Sequence, residues 1–142
     1  MELAQYIYST TCTELMTSEK AVLISVKSIQ VCEQLGLTGR VFSTLTHALA
    51  ITEGPLDIVD RYYQAIACDN LVATALLQTK QIVKTRDFED YSVWLDIGRP
   101  FGPHPHVHQM TPQSLVSAMP SNPSARLRIM VDALFDDGRL VA

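Results

Sequence analysis

The order in which apolar residues recur along the chain is the feature that most limits its fold. One helical pattern begins at Thr17 or Ser18 and stops at Gly36, and a second begins at Pro55 and ends near Asp69. Strand-like runs precede, separate and follow these helices, at residues 3–9, 37–44, 48–52, 73–78 and 91–95. This order predicts an α+β fold: a ferredoxin-like βαββαββ sheet with two helices on one face, in which the second and third strands form an antiparallel hairpin.

The C-terminal part of the chain has a different composition. Residues 98–112 are rich in proline and histidine, so they predict a connector. Residues 112–119 and 124–135 predict two short helices. We therefore divide the chain into a domain at 1–97 and a connector with C-terminal helices at 98–142, which packs on the same domain.

Composition and charge indicate one globular domain in the cytoplasm. With 142 residues, 47% of them hydrophobic, the chain is long enough for one core and short for two ordinary domains. Its 11 basic residues are outnumbered by 15 acidic ones and form no run, which argues against nucleic acid as a partner. No apolar stretch approaches the roughly 20 residues that span a bilayer, and no export signal opens the chain. Cys12, Cys32 and Cys68 are widely spaced without a CxxC pair, so neither a disulfide framework nor a zinc site is expected.

Residue types that serve catalysis are missing from their usual contexts. No serine stands in a Gly-x-Ser-x-Gly segment, no glycine-rich loop would cradle a phosphate, and no cysteine lies beside a plausible base. The acidic residues are scattered over predicted helix faces, where solvation accounts for them. We therefore predict that the protein is not an enzyme.

The segment HPHVH places His104, His106 and His108 at alternate positions. In an extended segment alternate side chains share one side, and imidazole is a common ligand of transition metals. A metal site at these histidines is therefore one hypothesis for function. The alternative is that they are solvated loop residues, because the cluster contains no carboxylate or cysteine.

Five short motifs resemble those of a known family. They are YIYS at 6–9, LGLTG at 35–39, EGP at 53–55, YYQAI at 62–66 and FEDYSV at 88–93. Their order and spacing resemble the BLUF domains, the flavin-dependent blue-light sensors, over residues 3–95. The resemblance implies a flavin between the two helices and a hydrogen-bond network of a tyrosine, a glutamine and an asparagine. Tyr8 stands at the tyrosine position.

The other members of that network are absent. The resemblance places the glutamine at Ala50 and two asparagines at Val31 and Cys32. Alanine and valine have no polar side-chain atom, and a thiol is a weak hydrogen-bond partner. The network that the family uses is therefore incomplete.

Further positions of the pattern also differ. A basic residue near the cofactor is replaced by Ala65, and a tryptophan and a methionine are replaced by Tyr91 and Val93. Asp69 matches a common position of the family, although an acidic residue at a helix end is more often a cap. The former flavin pocket is predicted at Tyr8, Val31, Cys32, Ala50, Ala65, Asp69 and Tyr91.

These departures predict a regulatory module that has lost flavin binding and photochemistry. We expect no cofactor, and a partner that is another protein or a second copy of this chain. The contact residues are predicted at Trp94 and at an apolar stripe of Leu127, Met130 and Leu134, for which packing within the chain is the alternative. Two other functions remain open: a photoreceptor that binds FAD or FMN in an atypical pocket, and metal binding at the histidine cluster.

Overall fold

Eleven elements occur in the computed structural model, which describes residues 2–102, 104–119, 135–136 and 139–140. In chain order they are β1 (Leu3–Cys12), α1 (Ser18–Leu35), β2 (Thr38–Ser43), β3 (His47–Pro55), α2 (Leu56–Ala67), β4 (Val72–Val83), β5 (Tyr91–Leu95), β6 (Val107–Gln109), α3 (Pro112–Ala118), β7 (Phe135–Asp136) and β8 (Arg139–Leu140). The first seven follow the predicted βαββαββ order, so the predicted fold is confirmed.

Six strands form one mixed sheet in the order β4-β1-β3-β2-β5-β6. β2 and β3 pair antiparallel, as predicted, and β1 lies antiparallel between β3 and β4. β5 is parallel to both β2 and β6. The register places Tyr8 of β1 opposite Ala50 of β3, in the middle of the sheet.

The ends of α1 are set by local sequence. The hydroxyl of Thr17 accepts a hydrogen bond from the backbone N–H of Lys20, 3.2 Å away, which satisfies one of the free donors of the first turn. Gly36 ends the helix in the left-handed region at φ 71°, which glycine adopts without a steric penalty. The predicted limits of this helix are confirmed.

A buried carboxylate fixes the entry to α2. Glu53 is fully buried and accepts hydrogen bonds from Gln5 Nε2 at 2.9 Å and from the backbone N–H groups of Asp87 and Phe88 at 2.8 and 3.0 Å. These bonds attach the loop before β5 to the centre of the sheet. Pro55 follows as the N-cap of α2, one position earlier than the predicted first turn.

The sheet carries a core on each face. α1 and α2 cover one face, where Tyr6, Tyr8, Ala50 and Tyr63 are among the buried side chains. On the other face the buried residues are Ile7, Phe42, Leu49, Ile51, Phe88, Trp94, Met110 and Ala118 of α3. None of the helices within the described ranges is long and apolar enough to cross a membrane.

Three predicted elements differ from the structure. β4 has 12 residues and is longer than the strand predicted at 73–78. Its polar and apolar residues alternate because it lies at the edge of the sheet, where a strand needs no continuous apolar run, so the sequence pattern did not reveal its full length. The predicted connector contains β6, a strand of only 3 residues that is too short to show a period. Phe135 belongs to β7 and not to a helix. The rest of the predicted helix at 124–135, with Leu127, Met130 and Leu134, lies outside the described residues.

Candidate functional site

A cleft opens between α1 and α2 above the central strands. Its cavity measures about 240 Å³. The lining includes Tyr8, Ser25, Ser28, Ala50, Tyr62, Asp69, Tyr91 and Val93. The structure therefore brings four of the predicted pocket residues, Tyr8, Ala50, Asp69 and Tyr91, to one cavity.

Tyr8 projects from β1 into the helix-covered core. Its hydroxyl oxygen lies 3.3 Å from the hydroxyl oxygen of Thr52, which is itself fully buried. The ring of Tyr63 packs edge-on against Tyr8 with centroids 4.9 Å apart. Burial raises the pKa of Tyr8 well above its usual value, so the phenol is neutral at physiological pH.

Thr52 is a site residue that the sequence analysis missed. It stands two positions after Ala50 on β3, and side chains two apart in a strand point to the same face. That spacing is the signal that would have identified it. Ala50 itself offers no polar atom to Tyr8, and Thr52 supplies the hydrogen-bond partner instead.

Cys32 of α1 lies in the core beneath the helices and not in the wall of the cavity. It is fully buried in the same core cluster as Tyr91 of β5, and Tyr62 of α2 packs against that cluster. Burial raises the pKa of the Cys32 thiol to about 11, so this group is protonated at neutral pH. Tyr62 is a second residue that the sequence analysis missed, because it lines the cavity only after the helices have packed.

Val31 and Ala65, like Cys32, do not line the cavity, although the sequence analysis placed all three in the pocket. Val31 is 44% exposed, and Ala65 is also exposed. Each residue of an α-helix is turned by about 100° from the one before it, because a turn contains about 3.6 residues. Since Cys32 faces the core, its neighbour Val31 must face away from it.

The charges around the cleft are few. Among its described lining residues there is no lysine, arginine or histidine, and Asp69 provides a carboxylate at the exposed end. One oxygen of Asp69 accepts a hydrogen bond from the backbone N–H of Leu71 at 2.9 Å. Asp69 therefore acts as a local cap beyond α2, and it also makes the mouth of the cleft acidic.

Trp94 lies on the opposite face of the sheet, where α3 covers it. Its side chain is almost completely buried, and its indole N–H donates a hydrogen bond to the Ser114 carbonyl oxygen at 3.2 Å. Arg40 Nε donates to the Ala118 carbonyl oxygen at 2.9 Å, and the guanidinium lies 4.7 Å from the centre of the Phe88 ring. A partner would reach Trp94 only after α3 had moved.

The three histidines make separate contacts. His106 lies in a turn with φ 64°, and its Nδ1 is 3.2 Å from Asp90 Oδ2. His108 packs against Trp94 with ring centroids 4.5 Å apart, and His104 forms an isolated bridge with Val107. In the part of the chain that the structure describes, no three histidine, cysteine or acidic residues come together as metal ligands. The metal site stays a prediction from sequence.

The sheet order, the two helices on one face and the cleft between them define a ferredoxin-like α+β domain. The chain belongs to the BLUF family, described as sensors of blue-light using FAD, whose family model matches residues 3–94. The resemblance seen in the five motifs is thereby confirmed. BLUF domains are sensor modules that signal to partner domains or proteins, and they are not enzymes themselves.

Several solved structures have folds similar to that of this chain. The BLUF domain of BlrP1 aligns with a TM-score of 0.71 at 13% identity, over 100% of this chain and 96% of that one. BlrB in its dark state aligns with a TM-score of 0.59 at 22% identity, over 68% of this chain and 73% of that one. A bacterial light-regulated adenylyl cyclase aligns with a TM-score of 0.62 at 16% identity, over 94% of this chain but 36% of that one. A comparison with curated protein sequences gave no match.

Proposed function

We propose that this protein is a BLUF module that does not hold a flavin nucleotide and that acts through contacts with another protein or with a second copy of itself. The observation that carries the proposal is the state of Tyr8, whose hydroxyl is bonded to Thr52 while Ala50 stands where the family network has glutamine. A tyrosine that is already paired within the protein does not need a flavin-linked partner.

The residue at one of the asparagine positions supports the same proposal. Cys32 stands there, buried in the core cluster with Tyr91, and its thiol is a weak hydrogen-bond partner for a ligand. A buried polar atom of a ligand that finds no partner costs about 1 to 3 kcal/mol. Because about 1.4 kcal/mol corresponds to a tenfold change in affinity, two or three missing partners weaken binding by several powers of ten.

The contact with a partner is proposed to form on the face of the sheet that carries Trp94. Hydrogen bonds from Arg40 and Trp94 hold α3 over this face. In longer proteins such as the light-regulated adenylyl cyclase, a similar domain makes up part of the chain, which supports signalling by contact. The stripe of Leu127, Met130 and Leu134 is the second proposed contact.

The visible absorption spectrum of the purified protein tests the loss of flavin. We expect no flavin band, no stoichiometric uptake when FAD or FMN is added, and no shift of absorption to the red under blue light. A yellow protein with one flavin per chain that responds to blue light would refute the proposal.

Light scattering tests self-association. We expect a mass above that of the monomer, and a return to the monomer in Leu127→Lys and Met130→Lys. The control is Leu23→Lys, which changes an exposed leucine of α1. A strict monomer at high concentration that also captures no protein partner would contradict the contact function.

A genuine photoreceptor with an atypical pocket is the second candidate. It is favoured by membership of a family that uses FAD and by the presence of Tyr8 in the cleft. The same absorption measurement separates the two, because only this candidate gives a bound chromophore.

A further inference from the structure

The size of the cleft limits what it accepts. An apolar cavity of about 150 Å³ holds one benzene molecule. The cavity between α1 and α2 measures about 240 Å³, which leaves room for one additional fused ring. The three-ring system of a flavin is larger than this cavity, so it enters only if lining side chains such as Tyr62 move.

Three hydroxyl groups of the wall are already paired within the protein. The hydroxyl of Ser25 donates to the Ala21 carbonyl oxygen at 2.8 Å, and that of Ser43 donates to the Thr44 carbonyl oxygen at 3.0 Å. Tyr8 is bonded to Thr52. Most of the remaining wall surface is apolar, so the free energy of binding comes mainly from the burial of apolar surface.

The charge of the cleft selects against anions. Its described lining contains a carboxylate, Asp69, and no cationic side chain that would compensate a phosphate. An anion in the cleft would lose its hydration and meet a like charge at the mouth. A neutral ligand meets neither cost.

We propose that this cleft binds a neutral, planar aromatic molecule of about two fused rings, stacked between α1 and α2 above Ala50. This inference rests on the proposed function only in that the cleft holds no flavin nucleotide. It adds the ligand class: an uncharged compound of the size of indole or naphthalene, without a phosphate group.

Three probes test this ligand class by NMR titration of the full chain. 2-Naphthol is the neutral bicyclic probe, 2-naphthyl phosphate has the same rings with an anionic group, and FMN is the flavin nucleotide. We expect saturable one-to-one binding of 2-naphthol, with shifts at the amides of Ser28 and Ala50, and binding at least tenfold weaker for 2-naphthyl phosphate. Equal or tighter binding of the phosphate would overturn the proposal, and so would the absence of saturable binding of 2-naphthol.

Variants that fill the cavity locate the site. Ser28→Leu and Ala50→Leu each add apolar volume to the cleft, so both are expected to weaken 2-naphthol binding at least tenfold. Ala73→Leu is the control, because Ala73 is exposed at the edge of the sheet in β4. Two filling variants are used so that a folding defect in one leaves the other informative. Unchanged binding in a folded filling variant would refute the site.

The outcomes separate this inference from the proposed function. Stoichiometric binding of FMN refutes the proposed function, whatever 2-naphthol does. Failure of both FMN and 2-naphthol leaves the proposed function intact and refutes the inference alone.

Discussion

The hydroxyl oxygen of Tyr8 lies 3.3 Å from the hydroxyl oxygen of Thr52, across the β1–β3 pair and two residues beyond Ala50. Both side chains are buried beneath the helices. Tyr8 is thus paired with the residue two positions after Ala50 on the same strand. In this chain both partners of the hydrogen bond belong to the sheet. In the network that the resemblance implies, the tyrosine is linked to a flavin.

Thr52→Val should lower the stability of the protein. Valine has the shape of threonine without the hydroxyl, so the Tyr8 hydroxyl is left buried without a partner, at a cost of about 1 to 3 kcal/mol. Urea denaturation measures the change in the free energy of unfolding. Thr52→Ser is the control and should retain most of the stability, because it keeps the hydroxyl. The addition of Tyr8→Phe to Thr52→Val should cost less than Tyr8→Phe costs alone; additive effects would contradict the pairing.

Glu53→Gln should destabilise the protein more strongly. The two carboxylate oxygens accept bonds from Gln5 and from the backbone of Asp87 and Phe88, and an amide replaces one of these acceptors with a donor. Each buried group that loses its partner costs roughly 1 to 3 kcal/mol. Thermal or urea denaturation measures the loss. Glu89→Gln, at an exposed position in the same loop, should change the free energy of unfolding by about 0.5 kcal/mol or less; equal effects of the two variants would refute the role of Glu53.

Arg40→Lys should loosen α3 from the sheet. Lysine keeps the charge but loses the Nε donor that reaches the Ala118 carbonyl oxygen at 2.9 Å. The chain has one tryptophan, Trp94, which α3 covers, so its fluorescence reports the change. We expect emission at longer wavelength, because the indole becomes more hydrated. Arg61→Lys, in an exposed ion pair with Asp57, is the control and should leave the emission unchanged. An unaltered spectrum in a folded Arg40→Lys variant would contradict this prediction.

His108 should titrate below its usual pKa. Partial burial of the ring, which packs against Trp94, is the main cause that lowers the pKa of His108. The charges of His106 and Arg40 lower it further, while Asp90 acts in the opposite direction. The unfolded chain therefore takes up this proton first, and the contribution of His108 to stability is lost as the pH falls from about 6.5 through the lower folded value. NMR titration of the imidazole C–H signals measures the midpoint. His106→Gln should raise it, because one repelling charge is removed; a midpoint at or above about 6.5 in the unmodified protein would refute the assignment.

The sequence by itself determined the order of the elements and the ends of α1. Thr17 and Gly36 act through contacts within a single turn of helix, so their effect is visible in the local pattern. The motifs also assigned Tyr8 and Ala50 to the predicted pocket, and the strand register then places the two residues opposite each other. The family followed from the same spacing.

Only the tertiary structure decided which side chains form the cleft and that α3 buries Trp94. The partners Tyr8 and Thr52 are 44 residues apart, and Arg40 meets Ala118 over 78 residues. The position of Tyr62 in the cavity wall and the exposure of Val31 depend on how far each helix is rotated about its axis. Helix rotation and long-range contacts result from packing many side chains at once, and no local period encodes that outcome.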